Sequence, residues 1–205
     1  MTELELLVLK ELYKAGLIKF GEFKLSSGKT SQIYLDLRLL RGHPFATVLT
    51  ARALLAKAEK FEYQHLADIP HGSSTIVTSM CTYESLTSPI SMVTPRVCVQ
   101  DQRQREPVIG IFSPGDTVLV VDDVITTADS KLEAIKILKD SGLVVMGVLV
   151  VVDREQGGAE KLREYGYALH SVFTLTEVLD FGIQNSHHLT DEELATLKEC
   201  QHKTQ

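Results

Sequence analysis

The run from Val118 to Ser130, VLVVDDVITTADS in one-letter code, restricts the fold of this chain more than any other stretch. Four apolar residues, three of them valines, suit a central strand of a parallel sheet, buried on both faces. Asp122 and Asp123 follow at its carboxyl end, where open α/β sheets bind ligands. Thr126, Thr127, Asp129 and Ser130 then make a hydroxyl-rich turn that opens into a helix. Backbone amides at a helix N-terminus form a ready anion site. Carboxylates for sugar hydroxyls or a metal, joined to amides for a phosphate, point to a ribose phosphate.

The flanking pattern agrees with an α/β sheet. Helix-length segments at residues 45–61, 75–86, 131–141 and 159–165 alternate with strand-like runs at 65–69, 90–93, 144–152 and 169–173. That alternation implies a mainly parallel sheet covered on both faces. Ahead of it, residues 3–15 form an amphipathic helix. Residues 18–25 and 32–38 then read as two strands around a turn, a flap before the main domain. We therefore divide the chain into residues 1–43, a helix and β flap, and 44–205, the core with a C-terminal helix opened by Thr190, as one structural unit. The stretch 95–107 is polar, with Arg96, Arg103 and Arg105, and reads as an exposed loop or a lid over phosphates.

Other classes are set aside by composition. A formal charge of -6 over 205 residues argues against a dedicated nucleic-acid binder. No apolar run reaches the length of a membrane span, and the acidic N-terminus does not read as a signal peptide. Cys81, Cys98 and Cys200 are sparse and odd in number, which favours a reducing cytoplasm over a disulfide framework. His187-His188 lacks a third metal ligand at suitable spacing, His170 reads as a strand histidine, and Gly157-Gly158 makes no dinucleotide fingerprint.

The diacid strand with Thr126, Thr127, Ala128, Asp129 and Ser130 resembles the phosphoribosyl pyrophosphate (PRPP) loop of type I phosphoribosyltransferases. Within that group, residues 19–23, Ser27-Gly28 and residues 33–38 resemble the N-terminal region of orotate phosphoribosyltransferase. Residues 153–158, followed by residues 169–172, are similar to the same family, especially the form fused in UMP synthase. The resemblance spans roughly residues 17–180 and implies a type I phosphoribosyltransferase fold with an N-terminal hood. It implies transfer of ribosyl 5-phosphate from PRPP to orotate, giving orotidine 5-monophosphate and pyrophosphate in pyrimidine biosynthesis.

Residue by residue, the resemblance implies that Asp122 and Asp123 hold the ribose hydroxyls, directly or through Mg²⁺-bound water. Thr126, Thr127, Ala128, Asp129 and Ser130 cradle the 5-phosphate, while His71, Gly72 and Ser73 fall at the pyrophosphate turn. Arg154 meets orotate, with Thr126 beside the ring and Ile33 and Tyr34 in the flap over it. Arg96 is the loop cation retained for catalysis. The family pattern has lysines where this chain has Ser26, Val97 and Gln100, an aromatic position near Gln102, and a glycine at Ala128. Two readings stay open. In one, Lys24, Lys29, Arg103 and Arg105 supply cations from shifted positions and the enzyme turns over. In the other, the chain is a catalytically impaired PRPP- or nucleotide-binding relative, a sensor or a partner of another pyrimidine enzyme. A different base is a further option, against which Arg154 and the flap argue. A homodimer is implied by the family. The chain ends without a decarboxylase barrel, so a separate orotidine monophosphate decarboxylase is an expected partner.

Overall fold

The computed structural model describes all residues except 25–27, 29, 71, 85–89, 98–105 and 205. Its centre is a six-stranded sheet. β1 (Ile18–Lys24) and β2 (Thr30–Leu35) stand outside it as an antiparallel hairpin, while β3 (His65–Asp68), β4 (Ser91–Pro95), β5 (Val108–Ile109), β6 (Thr117–Ile125), β7 (Val144–Asp153) and β8 (Leu169–Thr174) form the sheet in the order β5-β4-β3-β6-β7-β8. The pairs β3 with β4, β3 with β6, β6 with β7 and β7 with β8 are parallel, and β5 alone closes the edge antiparallel to β4.

β6 is central because both of its faces are apolar. Leu119 and Val121 join one hydrophobic cluster and Val118 and Val120 the other, following the two-residue alternation of a strand. The first cluster is built from α1 (Glu3–Lys14), α2 (Pro44–Ala58), α3 (Ser74–Glu84), α6 (Leu175–Gln184) and α7 (Asp191–Thr204), through residues such as Leu9, Leu54, Met80, Leu179 and Leu197. The second takes Ala134, Ile135 and Leu138 from α4 (Asp129–Asp140) and Leu162 from α5 (Gly158–Glu164). α1 starts with a Thr2–Glu5 capping box, and Glu5 also pairs with Lys57 of α2 at 2.8 Å. None of the helices is long and apolar enough to cross a membrane among the described residues.

Three elements differ from the sequence reading. β6 continues through the diacid to Ile125, because β7 pairs with it as far as Asp153. β2 stops at Leu35, and Leu37–Gly42 coils into a 3-10 turn instead of extending the strand through Arg38. Leu37 and Leu40, three residues apart, are both buried by that tighter period, which strand alternation would not achieve. Finally, α6 was not anticipated, although Thr174 and Glu177 form its capping box. The strand expected at 90–93 is present at Ser91–Pro95, and the loop expected at 95–107 lies mostly outside the described residues.

Candidate active site

Asp122 and Asp123 sit in the carboxyl-terminal half of β6, between Val121, which is fully buried, and the turn into α4. Asp122 is buried, and both of its oxygens have partners inside the protein. Its Oδ1 accepts from the Asp123 amide at 2.9 Å, and its Oδ2 pairs with the Lys131 ammonium. Asp123 is half-buried and accepts from the Val124 amide at 2.7 Å. Burial, reinforced by the neighbouring Asp122 charge, pushes the Asp123 carboxyl up to about 7. Gly72 closes against this pair from the β3–α3 turn. A Cβ there would lie 2.7 Å from Asp122 Oδ1 and 3.3 Å from Asp123 Oδ1, so a bare Cα is required for so close an approach.

The turn after β6 is held in an unusual shape. Ala128, almost fully buried, takes a left-handed conformation with φ of 67° and ψ of 2°, costly for a residue with a side chain. Thr127 Oγ1 donates to Asp129 Oδ2 at 2.6 Å, and Lys161 of α5 pairs with the other oxygen. Lys161 and Thr127 together hold Asp129 below the usual carboxylate range. α5 begins directly against the turn. A Cβ on Gly158 would sit 2.6 Å from the Thr126 carbonyl oxygen.

A cleft of about 890 Å³ lies between the hairpin and the C-terminal helix, lined by Phe20, Ser31, Ile33, Arg154, Gln156 and Cys200 among others. Arg154 reaches it because Ile125 pairs with Asp153, and the Arg154 amide donates to the Ile125 carbonyl at 3.0 Å. Its guanidinium is buried and donates to Ser31 Oγ at 3.1 Å, while Arg154 Nε and Gln156 Oε1 are buried with no partner among the described residues. Burial pulls the Arg154 guanidinium below its ordinary value. An unpaired buried donor and acceptor beside a cleft is a costly arrangement that a planar, polar ligand relieves. On the hairpin, Tyr34 stacks on Phe23 with ring centroids 5.4 Å apart and accepts from Arg38. Arg38 and Lys19 share Asp36, at 3.1 and 2.7 Å.

No protein-family model matches the chain. It is 39% identical over 170 residues to the orotate phosphoribosyltransferase of Chlamydia caviae, covering 82% of this chain and 81% of that protein. The chain belongs to the orotate phosphoribosyltransferase family. It is also 35% identical over 176 residues to the uridine 5'-monophosphate synthase of Caenorhabditis elegans, covering 85% of this chain and 35% of the synthase, so it spans about a third of that relative's length. Among solved structures, the UMP synthase of Leishmania donovani superposes with a TM-score of 0.85 at 27% identity, over 97% of this chain and 42% of that one. The α/β architecture is that of the type I phosphoribosyltransferases.

In this member of the orotate phosphoribosyltransferase family, the residues singled out from sequence divide between the β6 turn, the cleft, the base of the 95–107 stretch and positions outside the described residues. Asp122, Asp123, Thr126, Thr127, Ala128, Asp129 and Ser130 share one strand end and turn, with Gly72 packed on it. Ser73 is beside them but turned inward. Its buried hydroxyl donates to the Val121 carbonyl at 2.8 Å and accepts from the Ile69 amide at 2.9 Å, pinning the β3–α3 turn to β6. Ile33 and Arg154 line the cleft, whereas Tyr34 is engaged with Phe23 and Arg38. Arg96 follows β4, and its Nε donates to the Glu106 carbonyl at 3.1 Å, bracing the base of its own loop. His71, Ser26, Lys29, Gln100, Gln102, Arg103 and Arg105 lie outside the described residues, while Lys24 is exposed at the end of β1. The sequence reading missed Lys131, Gln156 and the α7 wall of the cleft. Helical spacing places Lys131 on the same face as the buried Ala134, Ile135 and Leu138, so a lysine on an apolar face was the signal that could have found it.

Proposed function

We propose that this chain binds PRPP at the β6–α4 turn and transfers its ribosyl 5-phosphate to orotate held at Arg154. Family membership and the buried Arg154, whose Nε has no partner among the described residues, carry this reading. The bond from the ribose anomeric carbon to pyrophosphate breaks, and pyrophosphate departs with the electron pair. A ring nitrogen of orotate, having lost its proton, bonds to the same carbon to give orotidine 5-monophosphate. The chain's contribution is positioning and charge: the amides and hydroxyls of Thr126 to Ser130 around the 5-phosphate, and Asp123 toward the ribose hydroxyls.

Mg²⁺ fits this donor set. Asp123, half-buried beside the internally paired Asp122, suits an ion that keeps several waters and takes its other ligands from substrate phosphates. No cluster of three or more His, Cys, Asp or Glu comes together among the described residues. When bound with PRPP, the ion offsets charge on the departing pyrophosphate.

A second reading, ligand binding without turnover, draws on Val97. Its side chain packs against the second apolar cluster, at a position where the family resemblance places a lysine. One experiment separates the two: orotate absorbance followed with PRPP and Mg²⁺, beside calorimetry with PRPP. Loss of orotate with release of pyrophosphate supports the transferase. PRPP binding without turnover at high protein concentration selects the second reading, and neither event overturns both.

We further propose a homodimer, because Leu39, Phe45, Val48 and Tyr83 are large, exposed and carried on the neighbouring 3-10 turn, α2 and α3. Sedimentation showing a monomer at micromolar concentration would remove that assignment. Residues 1–43 act as a hood and 44–205 as the core of one unit, in the cytoplasm that the sparse cysteines favour. A decarboxylase to consume orotidine monophosphate is its partner in sequence of reaction.

A further inference from the structure

Lys131 stands in the first turn of α4, where a cation opposes the helix dipole, and it is only 5% exposed. A buried lysine is tolerated when its charge is matched and its donors are used. Here the ammonium pairs with Asp122 Oδ2, donates to the Val124 carbonyl at 2.6 Å and reaches Ser130 Oγ at 3.4 Å. It therefore ties together the strand, the turn and the helix of the proposed PRPP site. The consequence is asymmetry between two carboxylates adjacent in sequence. Asp122 is buried with both oxygens engaged inside the protein, whereas Asp123 is half-buried and accepts a single hydrogen bond, from Val124, among the described residues.

We propose that Lys131 is a positioning residue that fixes Asp122 as its internal counter-charge, leaving Asp123 as the carboxylate presented to the ribose phosphate. With both carboxylates ionised, the Asp122–Asp123–Lys131 group carries one net negative charge instead of two. A polyanionic ligand meets less repulsion from it, so PRPP binding leans less on Mg²⁺ than it would at an uncompensated diacid. Arg38 also faces Asp123 electrostatically, from the 3-10 turn after β2, where Asp36 and Tyr34 hold it. This inference rests on the PRPP reading given above.

The test is calorimetric titration of PRPP into the full chain at about pH 8.5, where both carboxylates are ionised, once with saturating Mg²⁺ and once with EDTA, taking the ratio of the two dissociation constants. Lys131→Met raises the group's charge to two negatives, and the ratio widens about tenfold or more. Lys131→Arg keeps the cation and keeps the ratio. The double variant Lys131→Met, Asp122→Asn returns the charge to one negative and brings the ratio back to within about twofold of wild type. Simple loosening of the turn would weaken both arms alike and leave the ratio unmoved. Should Lys131→Met fail to fold, as circular dichroism melting would show, Asp122→Asn carries the test against the double variant. Its ratio is narrower by about tenfold. Equal ratios across these variants overturn the inference alone. Absence of PRPP binding by wild type in both arms overturns the proposed function, and the inference with it.

Discussion

The two ends of the same parallel sheet are built on opposite terms. At the amino ends of the strands, His65 of β3 bridges Ser91 of β4 at 2.6 Å and Asp116, just before β6, at 3.0 Å. Asp116 also accepts from the Ser113 amide at 2.7 Å, and Gln64 accepts from the Thr117 amide at 2.9 Å. Polar groups there answer one another across three strands. At the carboxyl ends, two carboxylates are adjacent, an alanine holds a left-handed turn and an arginine keeps a buried nitrogen unpaired among the described residues. The first end contributes to stability. The second withholds its best hydrogen bonds from the fold, which leaves them for a ligand.

Arg154→Met gives the sharpest test of this contrast. Orotate-dependent turnover should fall by on the order of a thousandfold, since a buried charge-assisted contact is removed. The melting temperature should hold or rise, because an unpaired buried donor goes with it. A large fall in melting temperature would mean that Arg154 belongs to the stabilising set and would break the comparison.

Gly72→Ala should come next. Its new methyl would press on Asp122 Oδ1, and PRPP affinity should drop on the order of a hundredfold by calorimetry. Retained affinity would show that the turn can retreat from the diacid.

The third prediction concerns pH. Asp123 is raised by burial and by Asp122, so the folded state holds its proton longer than the unfolded chain does. Stability is therefore favoured below the ordinary aspartate range and declines as pH rises through it to about 7, the folded value. With saturating Mg²⁺, PRPP affinity should move the opposite way, strengthening over the same window as the carboxylate ionises and takes part in holding the ion. Asp123→Asn should recover at least about 1 kcal/mol at pH 8 and flatten the profile of chemical denaturation midpoints. An unchanged profile would place the titration elsewhere.

The smallest functional effect belongs to the other end. Ser91→Ala should cost about 1 kcal/mol in denaturant unfolding and leave PRPP affinity within about twofold. A loss of affinity there would show that the two ends are coupled through the sheet.

How much of this was legible in the sequence depends on whether the signal is local. The β6 run announces itself, because its valines, carboxylates and hydroxyls are contiguous. The 3-10 turn after β2 misleads, since Leu35, Asp36, Leu37 and Arg38 alternate as a strand would. Only the joint burial of Leu37 and Leu40 reveals the tighter period. α6 carried a readable Thr174–Glu177 cap that proximity to β8 obscured. The partner of Lys131 and the inward Ser73 hydroxyl were out of reach, because each acquires its meaning from a strand distant in sequence or a carboxylate across the turn, although Lys131 shares its helix face with Ala134, Ile135 and Leu138. Arg154 stood out by resemblance, but its unpaired Nε is a property of the folded packing.

The placement of the diacid on β6 has a consequence for the order in which the molecule comes apart. β6 is paired on both sides and its residues 118–121 are wholly enclosed, so their amides belong to the part of the chain that exchanges with solvent only on global opening. Edge β5 and the hairpin can fray many times while that strand stays closed. The carboxylates are thus mounted on the slowest-opening segment and the cleft wall on a faster one. Ligands can enter and leave through local breathing without the diacid ever being disassembled.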